Sequence, residues 1–239
     1  MGEHKLTWYG HGTVKLTTSN GKKIVVDPFL TGNPACPTEL RNDRDFDVVL
    51  VTHGHSDHFG DTMVLLRESH AIAMVVFELS IYITSKGIPQ GKVIGFNIGG
   101  TVDFDNLKIT MTKAEHSSAL YEGGHSIEVG PPTGFLIRLN DGKNIYFAGD
   151  TDLFSEMAFI GEFYKPVLAV LPIDGYYNMS PQAAARAVQL LGCKQVLPVH
   201  QATFHVLWGK PSMLKQELDK LGLKDVKVHM VSPGDTITI

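Results

Sequence analysis

The sequence predicts an α/β fold in one domain over residues 1–239, with two sheets packed face to face and helices outside. Three observations carry this expectation. Short apolar runs of strand length alternate with stretches of helical spacing. The two halves of the chain echo each other, each passing from strands to helices, and no linker or short-period repeat interrupts them. A chain of 239 residues with 43% hydrophobic and 19% charged residues can build a sizeable core and is neither disordered nor fibrous in composition.

At the amino terminus Leu6 and Trp8, then Val14 and Leu16, flank Tyr9-Gly10-His11-Gly12, and Ile24-Val25-Val26 follows the turn Ser19-Asn20-Gly21-Lys22. Such runs around an Asn-Gly turn read as consecutive antiparallel strands. Residues 31–44 hold prolines and few periodic apolar positions, and read as a surface loop. The apolar run 48–51 is a buried strand that leads into Thr52-His53-Gly54-His55-Ser56-Asp57-His58. Beyond it, Met63, Leu65 and Leu66 predict a helix over 61–69, residues 71–77 a strand, and 78–86 a helix stopped by Gly87 and Pro89.

Strands are expected at 93–96, 102–104 and 107–112, the last running on to Ala114-Glu115-His116. A glycine-rich loop, Glu122-Gly123-Gly124-His125, and the pair Pro131-Pro132 come next. A hairpin over 134–139 and 144–148 turns at Asp141-Gly142 and ends in Gly149-Asp150. The buried run 167–171 precedes Pro172-Ile173-Asp174-Gly175, and Ser180-Pro181 supplies the N-cap and first-turn proline of a helix through Leu191. Residues 195–199 lead into His200, and an amphipathic helix over 212–221 and a last strand pair, 227–230 with 236–239, complete the chain.

A formal net charge of −4 argues against a broad footprint for nucleic acid. The first residues lack the apolar core of a signal peptide, and no apolar run approaches the ~20 residues of a membrane span. A cytoplasmic protein is therefore expected, with Cys36 and Cys193 as reduced thiols.

The densest chemistry lies in the loop after residues 48–51, where His53, His55, Asp57 and His58 fall within six positions. Imidazole nitrogens and a carboxylate suit a borderline divalent ion such as zinc, which takes about four ligands. Adjacent Asp57 and His58 point differently from His53 and His55, so two metals sharing the loop is the natural reading. Later strand ends add His116, Asp150 and His200. Alone, each would more often be a surface, core or turn residue. Recurring beyond apolar strand-like runs, the seven can meet in one crevice.

The string His53-x-His55-x-Asp57-His58, followed by His116, Gly149-Asp150-Thr151 and His200, resembles the metallo-β-lactamase superfamily along nearly the whole chain. That resemblance implies a four-layer αββα sandwich, with one metal on His53, His55 and His116, another on Asp57, His58 and His200, and Asp150 as the bridge. A closer likeness, to metal-dependent hydrolases related to ascorbate 6-phosphate lactonase and N-acyl phosphatidylethanolamine phospholipase D, rests on several short strings. These are Gly10-His11, the stretch from Asp27-Pro28-Phe29 to Asn33-Pro34, Glu115-His116-Ser117-Ser118, Leu171-Pro172-Ile173 and Thr203-Phe204. No inserted nuclease domain and no flavodoxin-like partner domain is in view. His55 stands where oxygen-reducing di-iron relatives carry Glu, which favours a hydrolytic site.

The expected function is a binuclear metal-dependent hydrolase that uses a metal-bound hydroxide on a small ester, lactone or phosphodiester. Asp57 and Asp150 are its catalytic carboxylates, and its cofactors are two divalent ions, Zn2+ first, with Mn2+ or Fe2+ suited to the same ligands. His11, His125, Tyr177 and Asn178 are candidate substrate contacts, and a homo-oligomer is compatible with the sequence. The competing readings are an iron-dependent redox or sulfur-chemistry protein on the same fold and a non-catalytic metal-binding module.

Overall fold

Val48, Val49, Leu50 and Val51 are all fully buried, the unbroken apolar run expected of a strand with parallel neighbours. They belong to the first of two compact units. The computed structural model describes residues 2–239. The first unit is built from residues up to Gly100 together with Ser117–Pro132 and Val231–Ile239, the second from Thr101–His116 and Thr133–Met230.

In the first unit, β1 (Lys5–Gly10), β2 (Thr13–Thr17) and β3 (Lys23–Val26) run antiparallel in succession. Leu6 faces Leu16 and Trp8 faces Val14 across the first pair, which fixes which side chains enter the core. From β3 onward the order is parallel, through β4 (Val48–Val51), β5 (Ile72–Val76) and β6 (Val93–Phe96). Three helices connect these strands: α1 (Ser56–Phe59), α2 (Thr62–Glu68) and α3 (Phe77–Ser85).

In the second unit, β7 (Thr101–Phe104), β8 (Leu107–Lys113), β11 (Thr133–Arg138) and β12 (Asn144–Phe147) are antiparallel. The sheet then continues parallel through β13 (Leu168–Pro172), β14 (Gln195–Val199) and β15 (Lys227–Val228). Against it pack α4 (Met157–Tyr164), α5 (Pro181–Leu191) and α6 (Pro211–Lys220), which bury Met157, Ala184, Ala187, Val188, Leu214 and Leu218 in a common core with Ala169 and Leu171. The α5 cap is as expected: the Ser180 hydroxyl accepts the Ala183 N–H at 3.2 Å, and Pro181 opens the helix.

Two expectations are corrected. The glycine-rich stretch is no open loop but the tip of a hairpin in the first unit, β9 (Ala119–Glu122) with β10 (His125–Glu128). Gly123 and Gly124 have φ of 60° and 82°, the two-residue turn whose twist matches its strands. The closing strands do not pair with each other: β15 adds to β14 in the second unit, while β16 (Thr236–Thr238) pairs with β1 in the first. Helix α4 was not expected at all.

Candidate metal centre

Strand direction places the chemistry of each unit on one edge of its sheet. In the first unit β1 and β3 are both antiparallel to β2, and β3 is parallel to β4, so the carboxyl ends of β1, β3 and β4 share an edge. His11, Asp27 and Thr52-His53 stand just beyond those three ends. In the second unit β8 and β12 are both antiparallel to β11, and β12, β13 and β14 are parallel. His116, Asp150, Asp174 and His200 follow those four strands. Ligand-bearing loops at the carboxyl ends of parallel strands are the general habit of open α/β sheets.

Backbone conformation marks the same residues. His11, Asp27 and His200 have φ of 54°, 52° and 55°, left-handed values that cost a non-glycine residue free energy and cluster where function holds them.

Within the first unit one buried carboxylate organises the histidine loop. Asp27 Oδ1 accepts the Thr52 N–H at 2.7 Å, and Oδ2 accepts the Thr52 hydroxyl at 2.8 Å. The same Oδ2 lies 2.8 Å from His58 Nδ1. Having given its one proton to Asp27, the Thr52 hydroxyl accepts from His53 Nδ1, 2.9 Å away. Both rings are thereby fixed with the proton on Nδ1 and the lone pair on Nε2, an orienting device typical of metal-bound histidine. His53 Nε2 faces His55 Nδ1 at 2.9 Å, so two imidazole nitrogens converge. His11 is fully buried, and its Nε2 lies 3.0 Å from Asp57 Oδ2. Two glycines make room: a Cβ on Gly12 would stand 2.8 Å from His58 Cε1, and one on Gly54 would stand 2.6 Å from Val129 Cγ2.

The second unit repeats the device. His200 Nδ1 lies 3.0 Å from Asp174 Oδ2 and its Nε2 lies 3.2 Å from Asp150 Oδ2, while His116 Nε2 is 3.7 Å from that same oxygen. Asp174 is fully buried and accepts the N–H groups of Tyr176 and Tyr177 on Oδ1 at 2.8 and 2.7 Å. Burial pushes this carboxyl up, but His200 and these N–H donors outweigh it and hold the group below the usual carboxylate range. Asp150 is also buried.

The candidate substrate contacts occupy different surroundings. Asn178 Nδ2 donates to Asp174 Oδ2 at 2.9 Å, which ties it to the support of His200. Tyr177 is exposed, with its ring 4.7 Å from that of Tyr176. His125 opens β10 at the exposed hairpin tip, opposite Glu122. Sequence reasoning missed Asp27, Thr52 and Asp174 as site residues. The signal that could have found them is the one that found Asp150, a polar residue just past an apolar strand.

Comparison with known proteins places these residues in a family. Residues 22–201 match the model of the beta-lactamase superfamily domain. A UPF0173 metal-dependent hydrolase of Rubrobacter xylanophilus is 41% identical over 238 residues, 99% of this chain and 97% of the relative. Igni18, a metallo hydrolase of the archaeon Ignicoccus hospitalis, superposes with a TM-score of 0.86 at 37% identity, covering 99% of this chain and 98% of that one. A metallo-β-lactamase fold protein of Bacillus subtilis shares the fold with a TM-score of 0.71 at 15% identity, covering 99% of this chain and all of the other, at 100%. The α/β fold class expected from the sequence is thus the observed one. No helix among the described residues is long and apolar enough to cross a membrane.

Proposed function

Because the chain belongs to the metallo-β-lactamase superfamily, and within it to the metal-dependent hydrolases, we propose that it hydrolyses a small ester, lactone or phosphodiester with two divalent ions. The ions are held by His53, His55, Asp57, His58, His116, Asp150 and His200. One observation carries this reading: buried carboxylates lie against the Nδ1 side of His58 and His200, Asp27 at 2.8 Å and Asp174 at 3.0 Å, the arrangement that leaves Nε2 for a metal. Core histidines that serve packing alone have no need of a desolvated carboxylate apiece.

The donor set, five imidazoles and two carboxylates, fits a borderline cation, Zn2+ first, with Mn2+ and Fe2+ suited to the same atoms. Following the family resemblance, His53, His55 and His116 serve one ion, Asp57, His58 and His200 the other, and Asp150 both. When bound, such ions supply the Lewis acidity that makes water a nucleophile near neutral pH and offsets charge developing on the substrate oxygen.

The chain's own groups do the positioning. Asp27 fixes the tautomers of two histidines, and His11 holds the carboxylate of Asp57 from behind. Asp57, only partly buried, would accept a hydrogen bond from the attacking water. Asn178 and His11 act through Asp174 and Asp57, while Tyr177 and His125, both exposed, are the candidates for direct contact with a substrate. The family match runs through both units, which supports one functional domain over 1–239. Burial raises the thiols of Cys36 and Cys193 to about 11, which supports the reading of both as inert reduced cysteines.

The test is reconstitution. Metal-free protein is loaded with Zn2+, Mn2+ or Fe2+, the bound metal is counted by mass spectrometry, and esters, lactones and phosphodiesters are assayed in parallel. Two ions per chain are expected, with turnover lost in Asp150→Ala. Full activity in a folded, metal-quantified Asp150→Ala variant, or hydrolysis by the metal-free protein, overturns the reading.

A further inference from the structure

In the first unit a cleft of about 680 Å³ opens beside the half-buried His55, walled by Ser117 and Ser118 on one side and by Ser126 and Glu128 of β10 on the other. Its size suits a small molecule. Ser126 and Glu128 are two apart on one strand and so project from the same face of the hairpin. Ser117 Oγ lies 3.4 Å from His55 Nε2, which makes this wall continuous with a candidate ligand of the ions.

The charge of the lining is one-sided. It contains Glu128 and no lysine or arginine. Gly130 also lines the cleft, and a Cβ there would stand 2.7 Å from Glu78 Oε2, so a second carboxylate adjoins one lining residue. Strong sites for phosphate or carboxylate groups commonly add a guanidinium or ammonium group to hydroxyl and N–H donors, and this lining supplies neither cation.

We infer that the cleft receives the non-reacting part of the substrate and selects against anionic groups there. The substrate class is then a neutral or ammonium-bearing ester or lactone with hydroxyl or amine donors for Glu128 and the serines, not a compound carrying a phosphate or carboxylate away from the scissile bond. This rests on the hydrolytic reading of the site and narrows it.

The test uses two readouts on the full chain. In the metal-free protein, the backbone amide resonances of residues 117–132 are followed by NMR during titration with three amides of matched size, 4-aminobutanamide, 4-hydroxybutanamide and succinamate. The first two are expected to shift those resonances, and succinamate to bind at least about tenfold more weakly. Glu128→Lys, an exposed substitution on a two-stranded hairpin, reverses the order, and Glu128→Gln removes about fivefold of the preference. Equal or tighter binding of succinamate, or a charge-independent response in Glu128→Lys, overturns the inference. In the metal-loaded protein, esters with the same three termini are assayed. Charge-selective fragment binding without turnover of any of these esters, or of any ester, lactone or phosphodiester in the reconstitution assay, overturns the hydrolytic reading and leaves the cleft assignment standing. Turnover of all three esters at equal kcat/KM overturns the cleft assignment and leaves the hydrolase.

Discussion

Asp27 Oδ2 lies 2.8 Å from His58 Nδ1 and accepts the Thr52 hydroxyl at the same distance, so a single buried carboxylate aims His58 directly and His53 through Thr52. Its removal should therefore act on two candidate metal ligands at once. Asp27→Asn keeps the size and an acceptor oxygen but cannot accept both bonds on an anionic oxygen. We expect Zn2+ affinity to fall about 10- to 100-fold, as for other partners of ligating histidine. Competition against a chromophoric chelator measures this. An unchanged affinity would mean that the Asp27 contacts serve folding alone.

Gly12 adjoins the same ring. An alanine there places its Cβ 2.8 Å from His58 Cε1, nearer than carbon atoms approach without displacement. The His58 ring is fixed by Asp27 on one side, so it cannot move away without losing that bond. Gly12→Ala should lower metal affinity by about tenfold or more while far-UV circular dichroism stays at the wild-type spectrum. Gly21→Ala is the control, because a Cβ at Gly21 meets nothing within 4 Å, although its φ of 86° carries a local cost.

The sequence already displays most of the candidate ligands, for a physical reason. His53 to His58 are near each other because they share one loop, and His116, Asp150 and His200 follow apolar runs whose ends a reader can locate. Asp27 and Asp174 follow such runs too, but Asp-Pro and Asp-Gly are also the commonest turn chemistry, and nothing local separates a turn aspartate from one that holds a histidine. What separates them is parallel register, Val26 beside Leu50 and Pro172 beside Val199, which is non-local. The same limit hid the partners of β15 and β16. Helix α4 was illegible for a different reason: Phe159 and Phe163 are exposed, so its apolar residues trace no single buried stripe, and no side chain caps its start.

Asp174 should contribute to stability as well as to His200. It accepts the N–H groups of Tyr176, Tyr177 and Asn178 and the side-chain amide of Asn178, all while buried. Asp174→Ala leaves those donors without their acceptor and should cost about 2–4 kcal/mol in urea unfolding of the metal-free protein. Asn178→Ala removes one bond and should cost about 1 kcal/mol. Asp174→Asn separates the two roles, since its amide oxygen can still accept the turn N–H groups: stability recovers most of the loss, and metal affinity does not.

His229 sets a pH dependence away from the candidate centre. Its Nε2 lies 2.9 Å from Gln195 Oε1, and burial, with a smaller contribution from Lys227, lowers the ring from 6.5 to about 4. Between these values the unfolded chain binds a proton that the folded chain refuses. Stability is then undiminished above about pH 6.5, declines by up to about 1.4 kcal/mol per pH unit as pH falls, and levels off below about 4. From pH 7.5 to 5.0 this one ring should remove about 1–2 kcal/mol. His229→Gln has no proton to gain. Urea unfolding of metal-free wild type and His229→Gln at the two pH values should show the variant gaining that amount on the wild type at pH 5.0. A stability difference that is the same at both pH values would mean that His229 accepts its proton in the folded state.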